Sequence, residues 1–567
     1  MQGVQARHPG LSRIRGATQV NTLGEQIRAH LPYQRRNAAS LTLLVFAMVL
    51  TLSAFAEVGL ARDGKIPPGL FGYGGGLAVL AFAAYFVQAK FASYADPLLL
   101  PLAVALNGLG LAMIYRLDLD TSHDKKVAMS SGKKLLSDAA DAPGQLVWTF
   151  VGIGLFVAAV LIMRDTDKTD APLSFTPKTA QRYTYLIGLG AIILLLLPIV
   201  PGIGAEINGA RVWINVGGLS VQPGEFAKLL LVVFFAGYLV NKRQAMSLIG
   251  KKVGPVSLPR GRDLGPILVI WFFCLGVLFM QKDLGTALLY FGLFVSMLYI
   301  ATQRVSWVVI GVGLLAVGVF IATLLPFMGH VNQRIDIWQN PKQYFDGGCL
   351  LDSGKVVPVN PDSDIYKQTK QQLLQKAAEY EKAGQVQQAK STKLIAPGFY
   401  ACAKLGGEYS DSAQLMKGLF SLGQGGVLGT GLGQGEPWRT PLSFSDFIFD
   451  SMGEELGLTG LMVLLLIYAL IVQRGMKTAV AARDPFLKLF AGGVSFVLGL
   501  QVFVIVGGVT RLIPLTGLTT PFLSQGGSSL MANWILIAIL VRMSHDARKP
   551  APQAIQDEGM TQIVSTR

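Results

Sequence analysis

The chain has 567 residues, 51% of them hydrophobic and only 15% charged, with a mean hydropathy of +0.47, which excludes an ordinary soluble domain. Lys and Arg outnumber Asp and Glu by 49 to 34, but the cations lie between apolar runs rather than in one patch, so membrane topology accounts for them better than nucleic acid does. Five His with no H-E-x-x-H arrangement, and no closely spaced Cys, argue against a zinc site.

Residues 1–37 carry Arg7, Arg13, Arg15, Arg28, Arg35 and Arg36 and read as a disordered cytoplasmic tail without a cleavable leader. Apolar runs follow at 38–61, 69–91, 96–116, 145–163, 183–201, 223–240, 264–281, 284–303, 305–327, 456–473, 486–508 and 521–543, each about long enough to cross a bilayer as a helix. Arg164, Lys178, Lys242, Arg260, Arg474, Arg483 and Arg548 all fall on one side if both termini are inside. The pattern therefore predicts an all-α polytopic membrane protein of about twelve spans, with both tails, 1–37 and 544–567, cytoplasmic.

Three outward segments exceed simple turns. Residues 118–144 are polar and read as a flexible surface loop, whereas 202–225 mix Gly, Trp213 and Ile214 with Arg211 and read as an interfacial or re-entrant piece. The third, 328–455, is too long for a plain connection and includes a helix-forming charged stretch bracketed by Cys349 and Cys402. Outside the membrane those two cysteines are candidates for a disulfide, with two free thiols as the alternative.

The most reactive-looking stretch is 421–457, where a Gly-rich loop leads to Asp446, Asp450, Glu454 and Glu455 just ahead of an apolar run. Carboxylates at a membrane boundary are costly unless water, cations or substrate meet them, although any one of them can simply mark a helix end. Other polar groups stand at outer span ends: Arg211, Glu225, Lys228, Asp283, Arg511, Ser528 and Ser529. Glu225 and Lys228, three apart on a helix, suit an intramembrane ion pair as well as a head-group site, and Arg211 beside Trp213 suits an interfacial anchor as well as a phosphate contact. GTGLGQG follows no strand and lacks a P-loop Lys, so nucleotide binding is poorly supported.

In order along residues 96–543, NGARVWI, QPGEFAK, QKDLGTA, GTGLGQG, SDFIFDSMGEELG and PFLSQGGSSL resemble the SEDS family, the membrane proteins of shape, elongation, division and sporulation that include RodA, FtsW and SpoVE. The resemblance implies a ten-helix core at 96–327 and 456–543, an added N-terminal transmembrane hairpin at 38–95 and an insertion at about 341–400. It implies an inverting peptidoglycan glycosyltransferase that polymerises lipid II at the outer face of a bacterial plasma membrane with a class B penicillin-binding protein as partner, RodA-like in its closing motif. A division-specific FtsW-like polymerase and a lipid II flippase are the alternatives.

By position the resemblance makes Asp446 the expected essential carboxylate; as general base it would act with Arg211 and Lys228 facing the departing diphosphate. A divalent cation, Mg or Mn, held by Asp446 and Asp450 is an optional supplement, and a helical segment would set those two acids one turn apart with one carboxyl raised by the other. Ser445, Gly224, Lys282 and Gln525 depart from the family's usual Thr, Ser, Pro and Tyr, and Asp450 stands where a small residue is common.

Overall fold

The computed structural model describes residues 17–549 apart from 131–139, 164–176, most of 351–410 and a few short loop positions. Every apolar run found in the sequence carries a helix, as the lack of water to satisfy backbone amides in a bilayer demands. Helices α1 (Ala17–Asp63) and α2 (Gly75–Phe91, preceded by a π turn at Leu70–Gly74) form the N-terminal hairpin. After them come α3 (Leu99–Ser130), α4 (Ala142–Ile162), the short α5 (Pro177–Arg182) and α6 (Thr184–Leu196). The middle of the chain forms α7 (Pro223–Ser247), α8 (Gly261–Met280), α9 (Leu284–Thr302), α10 (Ser306–Leu324) and α11 (Gly329–Gln339). Beyond the insertion lie α12 (Asp411–Gly425), α13 (Ile448–Ala481), α14 (Pro485–Val509) and α15 (Gly527–Arg548).

Ten of these helices are long and apolar enough to span a membrane, and the two remaining runs carry shorter apolar helices at Thr184–Ile199 and Leu268–Val277. Helices α3, α7, α14 and α15 make the buried heart, while α10 leaves most of its apolar surface outward. Inside, Trp534 of α15 donates to Asn107 Oδ1 of α3 at 3.1 Å, and a Cβ on Gly152 of α4 would meet the Trp534 ring at 2.6 Å. Small residues at such crossings let helices approach closely, which is what holds them together where lipid gives no hydrophobic drive.

Several expectations need correcting. Helix α1 starts at Ala17 and so takes in much of the stretch read as disordered tail. Helix α3 runs on to Ser130, through half of the segment read as a flexible loop. The piece expected to be interfacial or re-entrant carries a three-stranded antiparallel sheet, β1 (Gly204–Ile207), β2 (Ala210–Val216) and β3 (Leu219–Val221). In β2 Val212 is buried between exposed Arg211 and half-buried Trp213, the two-residue alternation of a strand. Two further hairpins, β4–β5 (Lys251–Val253, Val256–Leu258) and β6–β7 (Gly348–Leu350, Val356–Pro358), complete the strands among the described residues. Most of the 341–400 insertion, the Cys349 side chain and Cys402 lie outside the described residues, and with them the disulfide expectation.

Candidate active site

The Gly-rich loop and the acidic cluster form one unit, organised by a break inside α13. Gly457 takes φ 68° and ψ −175°, a conformation open to glycine alone, so the helical ladder stops there and frees the carbonyls of Glu454 and Glu455. The loop caps them: Thr430 and Gly431 donate their backbone N–H groups to Glu454 and Glu455 oxygens, each at 2.9 Å, while Leu458 N–H reaches back to the Gly426 carbonyl at 2.9 Å. The packing is backbone on backbone, since a Cβ on Gly429 would stand 2.2 Å from the Glu455 carbonyl.

Glu454 and Glu455 serve this cap rather than a substrate. The Glu454 carboxylate accepts from Ser421 Oγ and from Glu436 N–H at 2.6 Å. Glu455 accepts from Gly433 N–H at 2.9 Å and pairs with Arg116 of α3 at 3.1 Å, and Arg116 also donates to the Gly435 carbonyl at 2.9 Å. All three charged groups are buried. Carboxylates placed at the membrane boundary are here satisfied by a loop, not by solvent.

Asp446 sits apart from them, half-buried in the turn that precedes α13. Leu442, at φ 55°, starts that turn and accepts from Ser445 and Phe447 N–H at 2.9 and 3.3 Å. The turn is stitched to residues 519–525: Gln525 N–H donates to Phe444 O at 2.8 Å, and Ser524 Oγ donates to Ser445 O at 2.7 Å. Ser445 Oγ donates to Asp446 Oδ1 at 3.0 Å. A Cβ on Gly517 would stand 3.8 Å from Asp446 Oδ2 and 3.9 Å from Arg334 Nη2, so the carboxylate and a guanidinium face the same gap. Arg334, on α11, is anchored there by a 3.0 Å bond from Nη1 to Leu515 O.

Beneath this gap lies an inner polar layer. Lys228 Nζ bonds Glu225 Oε2 at 2.5 Å and Gln501 Oε1 at 2.9 Å, and Gln501 Nε2 donates to Thr519 O at 3.1 Å. Lys228 is 1% exposed, so this cation supports the 519–525 turn from below rather than meeting a ligand. Asp283 caps α9, accepting from Thr286 N–H at 2.9 Å, and lies within reach of the charges of Arg334 and Glu225. Desolvation holds its carboxyl above the usual range, against the Thr286 hydrogen bonds and the Arg334 charge.

The other expected residues are dispersed. Arg211 is exposed on β2, its N–H bonded to Gln281 O at 3.4 Å. Arg511 clamps the end of α11, donating to Trp338 and Gln339 carbonyls at 2.8 and 2.7 Å. Ser528 and Ser529 are buried at the start of α15, Ser528 Oγ accepting from Gln222 N–H at 2.8 Å.

Asp450 is not aligned with Asp446 on one helix face. Asp446 precedes the helix, so no helical turn aligns the two, and Asp450 is wholly buried with neither carboxylate oxygen hydrogen-bonded. It points at α12, where a Cβ on Gly418 would lie 2.3 Å from Oδ2. Among the described residues no three His, Cys, Asp or Glu side chains converge. Sequence reasoning missed Arg334; its only signal was a cation in the amphipathic stretch that follows the α10 run.

A family model described as "Cell cycle protein", covering FtsW, RodA and SpoVE, matches residues 97–351 and 397–549. The chain belongs to this family. Within it, the chain is 38% identical over 520 residues to the "Peptidoglycan glycosyltransferase RodA" of Mycobacterium tuberculosis, 92% of either chain. It is 38% identical over 536 residues to that of Mycobacterium leprae, 94% of this chain and 96% of the other. A "Probable peptidoglycan glycosyltransferase FtsW" of Geobacter metallireducens is more distant, at 28% over 79% of this chain and 94% of its own. Among solved structures, a chain of a peptidoglycan synthase complex is similar at 23% identity and TM-score 0.47, covering 80% of this chain and 99% of its own. Thermus thermophilus rod shape determining protein RodA gives 21% and 0.43, over 81% and 98%. Residues 1–96, 352–396 and 550–567 are the parts outside the family match.

Proposed function

We propose that this multi-pass membrane protein is a peptidoglycan glycosyltransferase of RodA type that polymerises lipid II at the outer membrane face. The observation that carries the reading is the gap at Gly517, with a half-buried carboxylate on one side and an anchored guanidinium on the other. The nearer relatives carry the RodA name at 38% identity, against 28% for one named FtsW, which favours the elongation role.

Glycan growth needs the 4-hydroxyl of an acceptor sugar to attack an anomeric carbon that bears a polyprenyl diphosphate. Asp446 takes the hydroxyl proton, the new C–O bond forms as the bond to the diphosphate breaks, and one displacement converts an α-linked donor to a β-linked product. A positioned general base contributes roughly 10²–10⁴-fold. Arg334 is the cation best placed to balance the departing diphosphate, with the exposed Arg211 available further out at the interface. Lys228 and Glu225 hold the inner polar layer rigid. A class B penicillin-binding protein that cross-links the product is the proposed partner.

Glycan synthesis from labelled lipid II by purified protein, with and without such a transpeptidase, tests this. Wild type should yield polymer and Asp446→Ala a rate lower by at least about 10²-fold. Equal polymer from both would discard Asp446 as the base, and none from wild type in the presence of its partner would discard the polymerase.

A further inference from the structure

Residues 1–96 precede the family match, yet α1 touches the candidate site directly. A Cβ on Gly433, whose φ is +83°, would stand 2.9 Å from the Cβ of Ala61 and 3.2 Å from the carbonyl oxygen of Val58. On its other side the same stretch of loop is held by core groups, through Gly433 N–H to Glu455 and Gly435 O to Arg116, both at 2.9 Å. With α1 on one side and the Arg116–Glu455 pair on the other, the loop has no room to slide.

Helix α1 is itself fixed at this level. Phe55 packs on Tyr115, the residue beside Arg116, with ring centroids 5.5 Å apart, and Tyr73 of the hairpin lies 5.3 Å from Tyr115. A Cβ on Gly69 would strike the Tyr115 ring at 2.8 Å, so the hairpin encloses that ring.

We propose that the α1–α2 hairpin is a working part of the active site: through Val58 and Ala61, α1 sets the position of the Gly-rich loop, and with it the segment that ends in Asp446. Gly433–Gly435 run straight into Glu436, whose N–H is tied to Glu454. Glu454 and Glu455 belong to the two helical turns that follow Asp446, so displacing the loop shifts the segment at both ends. Val58 and Ala61 are positioning residues, because neither faces the gap at Gly517. Misplacing a catalytic group by about 1 Å costs about 10²-fold in turnover, whereas grip on a lipid anchor made elsewhere is spared.

Ala61→Leu drives a branched side chain toward Gly433, and Leu60→Ala trims an exposed neighbour on the same helix. The kinetic arm of the test rests on the polymerase reading; the exchange arm does not. Amide hydrogen exchange at Gly431, Gly433 and Glu436 should rise at least about tenfold in Ala61→Leu, reporting local opening of the loop. Its kcat should fall about ten- to a hundredfold with KM for lipid II within about twofold of wild type, while Leu60→Ala keeps wild-type values in both arms. Unchanged exchange in Ala61→Leu overturns the proposal, as does raised exchange with unchanged kcat. Raised exchange in a protein whose wild type makes no polymer would uphold the contact and discard the reading of the reaction.

Discussion

Lys228 and Glu225 sit one helical turn apart at the outer end of α7, sealed from solvent and joined to Gln501 on α14. Removing one partner leaves the other charged and buried, which costs about 3–5 kcal/mol, whereas replacing both with apolar groups of similar volume is often nearly neutral. Lys228→Ala should therefore lower unfolding stability by about that amount, and the double change Glu225→Leu with Lys228→Met by much less; equal losses would show that the pair is not held as a unit. Asp283 makes a different prediction. Its folded carboxyl binds a proton more tightly than the unfolded chain does, so it favours folding at low pH, and that advantage falls as pH rises from the ordinary carboxylate value through the raised one. Asp283→Asn keeps the helix cap but cannot titrate, so its stability should vary less with pH across that window. Identical pH profiles by thermal unfolding would remove the charge change from Asp283.

At the level of elements, α13 is two helices joined at Gly457, and the join is where the site is assembled. Ala at this position would have to adopt φ 68° and would bring its Cβ to 2.2 Å from Gly429 N. Gly457→Ala should cost more than about 3 kcal/mol, beyond the 1–3 kcal/mol of backbone strain alone, with polymerisation falling in parallel; a stable, active variant would show that the loop tolerates separation from the helix break. The sequence made the helices plain, because each is a contiguous apolar run with its own length limit. It also singled out Asp446 as the candidate carboxylate, through the neighbouring motif residues. The role of Glu454 and Glu455 was not legible, since Arg116 lies 339 residues away from Glu455 along the chain. Asp450 looked like a partner of Asp446 only under the assumption of continuous helix, and the turn from Leu442 to Phe447 removes that assumption. The sheet at 204–221 was hidden because its strands are three to seven residues long and broken by glycine.

For the whole molecule, we propose from the cation distribution that 204–221 and 426–447 share the outer face, with the end of α15 inside. In a background with Cys274, Cys349 and Cys402 replaced by Ser, the exposed positions 220 and 549 report on this. Ser220→Cys should react in intact cells with a membrane-impermeant maleimide, and Lys549→Cys only after lysis. The opposite pattern would turn the molecule over and place the site in the cytoplasm. The core of the bundle is joined across long separations, as in the 2.8 Å bond from Arg548 to Asp96.

Gly429, Gly433 and Gly457 each take a positive φ, and at each a single added methyl would meet another atom within 3 Å. Point mutation can reshape most surfaces around an enzyme's site, but not this one without breaking it. A compound that gripped the loop at these three residues would leave the target almost no route to resistance there.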